Sequence, residues 1–384
     1  MKSIISKQIK TKVIKLKCQH FGTCGSCSIY TLNYQDQLSK KEERLRTLLS
    51  PFGVEKIAIF PSKDAHYRAR AEFKIWHEGE RAYYAMGRLD RKGAVMIEEC
   101  PKVIEAIDRR MAPLLEQINA SKILKERLFT VEFLATTTDE VLITMIYHRK
   151  LDTLWEQEAK RLETLLDVFI MGRSRKQKVV LTQEYVTEKL LIDNRDYLYR
   201  HYESGFTQPN PAVNVQMISW AIDQVKAVGG DFLESYCGLG NFTIPLSRYF
   251  DKVLATEISK RSIQAAQENC ILNGVENICF VRLSSEEMTQ ALNHERTFQR
   301  LADVDLEAYN FSTVLVDPPR AGLDEATRQL ISEMEHILYI SCNPETLARD
   351  MEFLSLTHKV VNVAMFDQFP HTPHIESGLF LVRR

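Results

Sequence analysis

Cys342 stands between the apolar run Ile337–Ile340 and Pro344, in Ser341-Cys342-Asn343-Pro344, where a strand would hand over to a helix. A thiol at that junction feels the positive end of the helix, which favours the thiolate and makes the sulfur a candidate nucleophile. Further on, a polar, Pro-rich turn from Phe366 to Glu376 leads into the last apolar run, Gly378–Val382. Glu376 sits there as a general base able to reach the same crevice. A cysteine nucleophile beside a carboxylate base predicts covalent group transfer. Cys237, Cys270 and Cys279 read instead as buried, inert thiols.

A second group of residues suits a nucleotide-like ligand. Leu233–Phe242 is a strand running into the turn Gly238-Leu239-Gly240 and then a helix. Glycines there let the backbone approach a ligand, and the missing third glycine of the dinucleotide fingerprint fits a ligand without a pyrophosphate. The next strand ends in Glu257, where a carboxylate can accept from two ribose hydroxyls. A third strand ends in Asp317-Pro318-Pro319-Arg320, and the prolines leave Asp317 at the crevice. Three such features at successive strand ends favour an adenosine-type cofactor over turn chemistry alone.

Cys18-x5-Cys24-x2-Cys27, with Cys100-Pro101 far along the chain, forms a third group. Four soft thiolates from two segments suit an iron–sulfur cluster or zinc, and the spacing by itself favours zinc as the commoner structural ion.

These residues need elements to carry them. Residues 201–384 alternate strand-like and helix-like runs, the doubly wound α/β pattern, with ligands expected at the carboxyl ends of the strands. The last two runs, Val360–Phe366 and Gly378–Val382, have no helix between them and predict a closing antiparallel pair. The first half reads as α+β with a largely antiparallel sheet: helices over Thr31–Leu49, Val103–Ile118 and Leu151–Leu166, and strands around Phe73–Trp76, Tyr83–Tyr84, Leu128–Leu134 and Val141–Tyr147. The boundary is expected near Tyr197–Gly205.

Length and charge narrow the function. The 384 residues, 45% hydrophobic and 26% charged, are globular in composition. No apolar run approaches the roughly 18 residues that span a bilayer. The segment Met1–Lys17 carries six lysines but no apolar core or cleavage site of a secretory signal, so a cytoplasmic protein with reduced thiols is expected. Lys and Arg outnumber Asp and Glu by 36 to 27 in residues 1–200, giving +9, and trail them by 14 to 24 in residues 201–384, giving −10. A basic first half predicts a polyanionic partner, with Arg68, Arg70 and Lys74 as phosphate contacts. No obligatory protein partner is evident.

Phe206-Thr207-Gln208-Pro209-Asn210, Tyr236–Phe242, Val316–Arg320, Ser341–Pro344, and Phe366–Pro370 with Glu376 resemble the RNA 5-methyluridine methyltransferase family. The similarity extends to Tyr67–His77 and Tyr147–Asp152 and covers the chain from about Tyr34. Its tRNA-acting members, which make ribothymidine in the T-loop, are the most similar.

The resemblance implies a C-terminal Rossmann-like, S-adenosylmethionine-dependent methyltransferase domain over 201–384 and an N-terminal α+β RNA-binding domain over 34–200 that includes Cys100. A lysine-rich arm with the cysteine motif over 1–33 precedes them. It implies that Cys342 attacks C6 of a tRNA uridine and that Glu376 removes the C5 proton. It also implies that Gln208, Tyr236, Asn241, Glu257 and Asp317 hold S-adenosylmethionine. The rRNA-modifying members share the C-x5-C-x2-C pattern, which implies a [4Fe–4S] cluster on Cys18, Cys24, Cys27 and Cys100 and makes 23S rRNA the alternative acceptor. Only 17 residues precede Cys18, fewer than the β-barrel found at the start of some of those members, which favours tRNA. A non-catalytic iron–sulfur or zinc RNA-binding protein is the reading from another class; Cys342 and Glu376 together argue against it.

Overall fold

The computed structural model describes residues 16–384; residues 1–15, most of the lysine-rich arm, lie outside the described residues. Helix α1, Tyr34–Leu49, opens on Asn33, whose side chain accepts from the Asp36 amide, and stops at the Ser50–Phe52 turn before Gly53 at φ 76°. Its Leu38, Leu45 and Leu49 form one buried stripe at helical spacing. Strand β1, Ala58–Phe60, follows.

The next body is a seven-stranded sheet. In chain order it contains β2 Arg70–Glu78, β3 Arg81–Gly87, β4 Ala94–Ile97, α2 Glu105–Ala120, α3 Lys122–Lys125, β5 Leu128–Ala135, β6 Val141–Tyr147, α4 Thr153–Leu166, β7 Phe169–Ser174 and β8 Gln177–Val180. The strand order is β4-β3-β2-β5-β6-β7-β8. Only β6 and β7 pair in parallel, and α4 is the crossover that such a pair needs. Helices α2 and α4 bury Met111, Leu114, Trp155 and Leu162 against Phe73, Val131, Phe133 and Ile143. On β2 the alternate residues Glu72, Lys74 and Trp76 stay exposed, so this face is open to solvent there, whereas Leu134, Leu142 and Met171 on β5–β7 bury it against Val186.

The remaining chain builds the second body. It comprises the hairpin β9 Tyr185–Ile192 and β10 Arg195–Tyr202, then α5 Pro211–Val225, β11 Asp231–Ser235, α6 Thr243–Leu246, β12 Val253–Thr256, α7 Lys260–Asn273, β13 Ile278–Val281, α8 Ser285–Leu292, β14 Phe311–Val316, α9 Glu325–Ile331, β15 His336–Ser341, α10 Pro344–Leu354, β16 His358–Phe366 and β17 Glu376–Arg383. Eight strands order as β1-β16-β17-β15-β14-β11-β12-β13. All neighbours are parallel except β17, which runs antiparallel to both β15 and β16. This is a Rossmann-like sheet closed by the expected antiparallel strand. No helix of the described residues is long and apolar enough to cross a membrane.

Three expectations differ from this architecture. The sequence reading places α1 and β1 in the N-terminal α+β domain over 34–200, yet they join the C-terminal body. The Leu38, Leu45 and Leu49 stripe packs with Met351 and Leu354 of α10, and β1 pairs with β16, covering a sheet edge. The boundary expected at Tyr197–Gly205 lies earlier, before Tyr185. Leu190, Ile192, Tyr197 and Tyr199 of the hairpin share a core with Met217, Ile218 and Phe232, whereas the first sheet ends at Val180. The helix expected after the Gly238-Leu239-Gly240 turn is one turn of α-helix, Thr243–Leu246, followed by a 3₁₀ turn, Ser247–Tyr249.

Helix α1 also carries a buried charge into the second body. Lys41, 4% exposed, donates to the Oδ1 of Asp367, 1% exposed, at 2.6 Å and to the Phe369 carbonyl at 3.0 Å. Tyr34 donates to the other oxygen of Asp367 at 2.8 Å. Removing one partner of such a pair strands a charge, at a cost of about 3–5 kcal/mol. Lys41→Met should therefore lower unfolding stability by at least about 3 kcal/mol, and adding Asp367→Asn should recover part of the loss because no charge stays buried. Denaturant unfolding of the two variants checks this; a single-variant loss below about 1 kcal/mol would contradict a desolvated pair.

Candidate active site

Strand pairing brings the chemical residues together. The last register pair of β15 and β17 is Ser341 with Ser377. One step further, Cys342 leaves β15 opposite Glu376, the first residue of β17. Asp317 leaves β14, the neighbour of β15 on its other side, where Pro318 and Pro319 stop the strand. Cys342, Glu376 and a second carboxylate, Asp317, thus meet at the carboxyl edge of the sheet, where the sequence places the ends of their strands.

The electrostatics differ from the expectation for Cys342. Helix α10 begins at Pro344 behind the Asn343 cap, yet the thiol is pushed up to about 11 rather than down. Burial is the main cause, Glu376 and Asp317 add to it, and Arg320 opposes it. A helix terminus offers a fraction of a charge, which desolvation and two acids outweigh. Burial likewise pushes Asp317 up to about 7. Glu376, 3% exposed, is held well above the usual carboxylate range by burial and then by Asp317. A carboxylate so placed is a strong base once its proton is gone.

The turn leading to Glu376 is fastened at every step. Besides Lys41 on Phe369, Tyr67 donates to the Pro370 carbonyl at 2.9 Å and Arg44 to the Pro373 carbonyl at 3.1 Å. The amide of His371, a residue at φ 63°, donates to Gln37 Oε1 at 2.9 Å, and its ring Nε2 meets the Asp64 carbonyl at 2.8 Å. Arg320 reaches His374 Nδ1 at 3.2 Å.

Beside this cluster lies a cavity lined by His201, Phe206, Gln208, Glu234, Tyr236, Gly238, Asn241 and Asp317. Gly240 adopts φ 87°, and a Cβ there would press to 3.1 Å on Ile244. Glu257 accepts from the Gly238 amide at 3.3 Å and the Ser259 amide at 2.8 Å, which holds the carboxylate against the Gly-rich turn. Gln208 accepts from Gln368 at 3.4 Å. Tyr236 and Asn241 line the cavity with their side chains engaged elsewhere: the Tyr236 hydroxyl meets Ser285 at 2.5 Å, and the Asn241 amide exchanges two bonds with Asn214 at 2.8 and 2.9 Å. Glu234 escapes the sequence reading. It is 1% exposed, its Oε2 has no partner, and burial pushes it up to about 8. An acid inside an apolar strand directly before the Gly-rich turn is the signal that could have found it. This orphaned oxygen and the open glycine turn fit a ligand with its own donors, such as the amine and ribose of S-adenosylmethionine.

Cys18, Cys24, Cys27 and Cys100 line one cavity of about 400 Å³, together with Arg320, Phe369 and His374 from the turn region. Gly25 is backed onto the Gly87 carbonyl, where its amide donates at 2.8 Å. The thiols are spread around this cavity: among the described residues no three His, Cys, Asp or Glu side chains are gathered as a metal-holding group. The donor set, four thiols from two segments on one cavity, fits a thiolate-bound metal in number and chemistry.

The expected phosphate contacts divide. Arg70 donates to the carbonyls of Glu203 and Gly205 at 2.6 Å each, fastening the sheet to the segment before Phe206, and Arg68 bonds the Arg70 carbonyl at 2.7 Å. Lys74 alone stands on the open face. That sheet also carries an aromatic pair that the sequence pattern does not reveal. A bulge between Leu128 and Thr130 turns Phe129 outward, 42% exposed, and its ring stacks on His148 at 4.3 Å and 21°.

Comparison with known proteins bears on these features. The family described as tRNA (Uracil-5-)-methyltransferase matches residues 33–384, so Cys18, Cys24 and Cys27 precede the matched segment. A tRNA/tmRNA (uracil-C(5))-methyltransferase of a Sulfurovum species is 67% identical over 369 residues, covering 96% of this chain and 100% of the relative. One of a Nitratiruptor species is 54% identical over 368 residues with the same coverage. The crystal structure of Pyrococcus abyssi tRNA (uracil-54, C5)-methyltransferase in complex with S-adenosyl-L-homocysteine is similar at a TM-score of 0.72 and 25% identity, covering 93% of this chain and 86% of that one.

The raised thiol sets a pH dependence. A thiol nucleophile reacts as thiolate, so with Cys342 in that role its rise to about 11 keeps the reactive fraction small at neutral pH and lets it grow as pH rises. The kcat/KM, which reports groups of the free enzyme, should climb by about tenfold per pH unit from pH 7 toward 9. Arg320→Gln, which removes a charge that counters the rise, should move this limb to still higher pH. A flat profile between pH 7 and 9 would contradict a buried, protonated thiol.

Proposed function

Because the chain belongs to the tRNA (uracil-5-)-methyltransferase family and is an S-adenosylmethionine-dependent RNA uracil-C5 methyltransferase, we propose that it methylates the T-loop uridine of tRNA through a covalent adduct of Cys342 that Glu376 resolves. The relative of known structure is described as acting on uracil 54, which supports the same position here. The observation that carries the mechanism is the opposition of Cys342 and Glu376 one step past the Ser341–Ser377 pair.

C5 of uracil is a weak nucleophile. The Cys342 thiolate adds to C6, the C5=C6 π pair moves onto C5 and O4, and C5 becomes carbon-nucleophilic. Bound S-adenosylmethionine supplies the methyl group that C5 takes. Glu376, as carboxylate, then removes the remaining C5 proton, the C–H pair re-forms the C5=C6 bond, and Cys342 leaves as thiolate. Gln208, Tyr236, Asn241, Glu257 and Asp317 hold the cofactor, with Glu257 on the ribose and Tyr236 and Asn241 shaping the cavity wall. The uridine must leave its stack to reach Cys342. The exposed part of the sheet around β2 and the start of β5 receives the RNA, with Phe129 and His148 as a stacking surface and Lys74 among the cations beside it.

We further propose that Cys18, Cys24, Cys27 and Cys100 hold a [4Fe–4S] cluster. Four thiolate ligands leave no open position on it, and uracil methylation needs no electron, so its role is structural.

Tritiated S-adenosylmethionine with unmodified tRNA or 23S rRNA fragments, followed by mapping of the labelled base, tests the acceptor. Label on rRNA but not tRNA would overturn the tRNA reading. Cys342→Ala should abolish transfer while cofactor affinity persists, and Glu376→Gln should accumulate a protein–RNA adduct that survives denaturing gels. Normal turnover of Glu376→Gln, or more than a few percent activity in Cys342→Ala, would remove these roles.

Protein purified without oxygen should be brown, with about four irons per chain. Changing any one of the four cysteines to Ser should lose the iron and destabilise the N-terminal segment while leaving cofactor affinity nearly unchanged. Colourless protein with about one zinc would replace the cluster and keep the site. Metal-free protein with all four thiols open to alkylation in the native state would reject both.

A further inference from the structure

A groove on the first sheet, adjoining the stacked His148, has cations with no role assigned so far. It encloses about 680 Å³ between the segment Tyr147–Lys150 after β6 and the turn Ser174–Gln177 joining β7 to β8. The two walls are fastened to each other: Gln177 donates to the Leu151 carbonyl at 2.8 Å and accepts from the Leu151 amide at 2.9 Å. Arg149 spends its guanidinium on the carbonyls of Ile123, Glu126 and Lys150, so it builds the wall. Lys150, Arg175 and Lys176 are exposed, none forms an ion pair among the described residues, and no carboxylate lines the groove. Three free cations on a preformed groove attract a polyanion.

The groove shares His148 with the stacked Phe129–His148 pair, so bases and phosphates would be met side by side. It also lies far from the chemistry. The active-site end of this sheet is near Arg70 and Leu134, which pair across β2 and β5. Phe129 is five residues along β5, about 17 Å away at ~3.4 Å per residue.

We infer that Lys150, Arg175 and Lys176 form a phosphate-binding groove for the RNA strand that runs past the Phe129–His148 pair, anchoring the substrate at the end of the sheet away from Arg70 and Leu134. This rests on the RNA-methyltransferase reading and adds to it a second point of attachment. Such contacts carry position and affinity, not chemistry: they hold the RNA while the target base leaves its stack.

The test is the salt dependence of tRNA binding by the full chain. Dissociation constants for unmodified tRNA are measured from 50 to 300 mM KCl for the wild type and for Lys150→Gln/Arg175→Gln/Lys176→Gln. Losing two or three phosphate contacts should flatten the slope of log K against log salt by about 2, at ~0.7–0.9 per phosphate, and weaken binding about tenfold or more near 150 mM. The thermal midpoint, the affinity for S-adenosylhomocysteine and kcat at saturating tRNA should stay unchanged, which a folding defect would not allow. A control, Lys226→Gln/Lys252→Gln/Lys359→Gln, should leave the slope in place. An unchanged slope and affinity in the groove variant, or an equal change in the control, overturns the proposal. A wild type that binds tRNA with the groove-dependent slope but methylates no RNA would instead count against the enzymatic reading.

Discussion

The reversed strand β17 is the constraint on which the site depends. A parallel sheet delivers the ends of β14 and β15 to one edge, which is enough for Asp317 and Cys342. It cannot deliver a third residue from a strand that begins at that edge unless the strand runs the other way. Inserting β17 between β15 and β16 does this, because in an antiparallel pair the end of one strand lies beside the start of the other. Since side chains alternate with a period of two, a one-residue slip would turn Glu376 to the opposite face. Gly378 enforces the register from behind: a Cβ there would fall 2.6 Å from the Trp220 ring of α5. Glu376 therefore meets Cys342 through backbone pairing.

Pairing fixes the base, but the turn before it spans nine residues that must not wander. The chain fastens it with groups contributed from α1 and the segment after β1, the portions that precede the first sheet. Lys41, Gln37, Arg44 and Tyr67 each bond the main chain of that turn. This explains why α1 packs on α10 and not on the sheet that follows it in sequence. The first sheet is thus an insertion between β1 and β9 of a body that starts at α1. Arg70 ties the insertion back at Glu203 and Gly205, beside the cavity residues Phe206 and Gln208.

Much of this was legible in the chain. Strand-end residues announce themselves, because prolines after Asp317 and Cys342 stop the strands where a ligand would sit, and the missing helix before Gly378 signals the reversed strand. Domain membership was not legible: the stripe of Leu38, Leu45 and Leu49 demands a partner but does not name it, and α2 and α10 are equally apolar candidates. Nor was the hairpin β9–β10, whose Tyr197 and Tyr199 alternate as any half-buried strand would. The Cys342 environment failed for a different reason. The helix start behind it is local and visible, whereas the burial and the two acids that outweigh it come from β14 and β17 and exist only after folding. Phe129 was hidden by a bulge, which reverses the side that alternation assigns.

The raised proton affinities at the site follow from the same closure. Burial raises Cys342, Glu376 and Asp317 alike by removing water, and Arg320 opposes the rise at Cys342 and Glu376. Ionising any one makes the others harder to ionise. The cost is a thiol that rests protonated. Burial therefore lowers the thiolate fraction but makes the carboxylates stronger bases, and in the proposed mechanism it is the second effect that serves removal of the C5 proton, held on carbon.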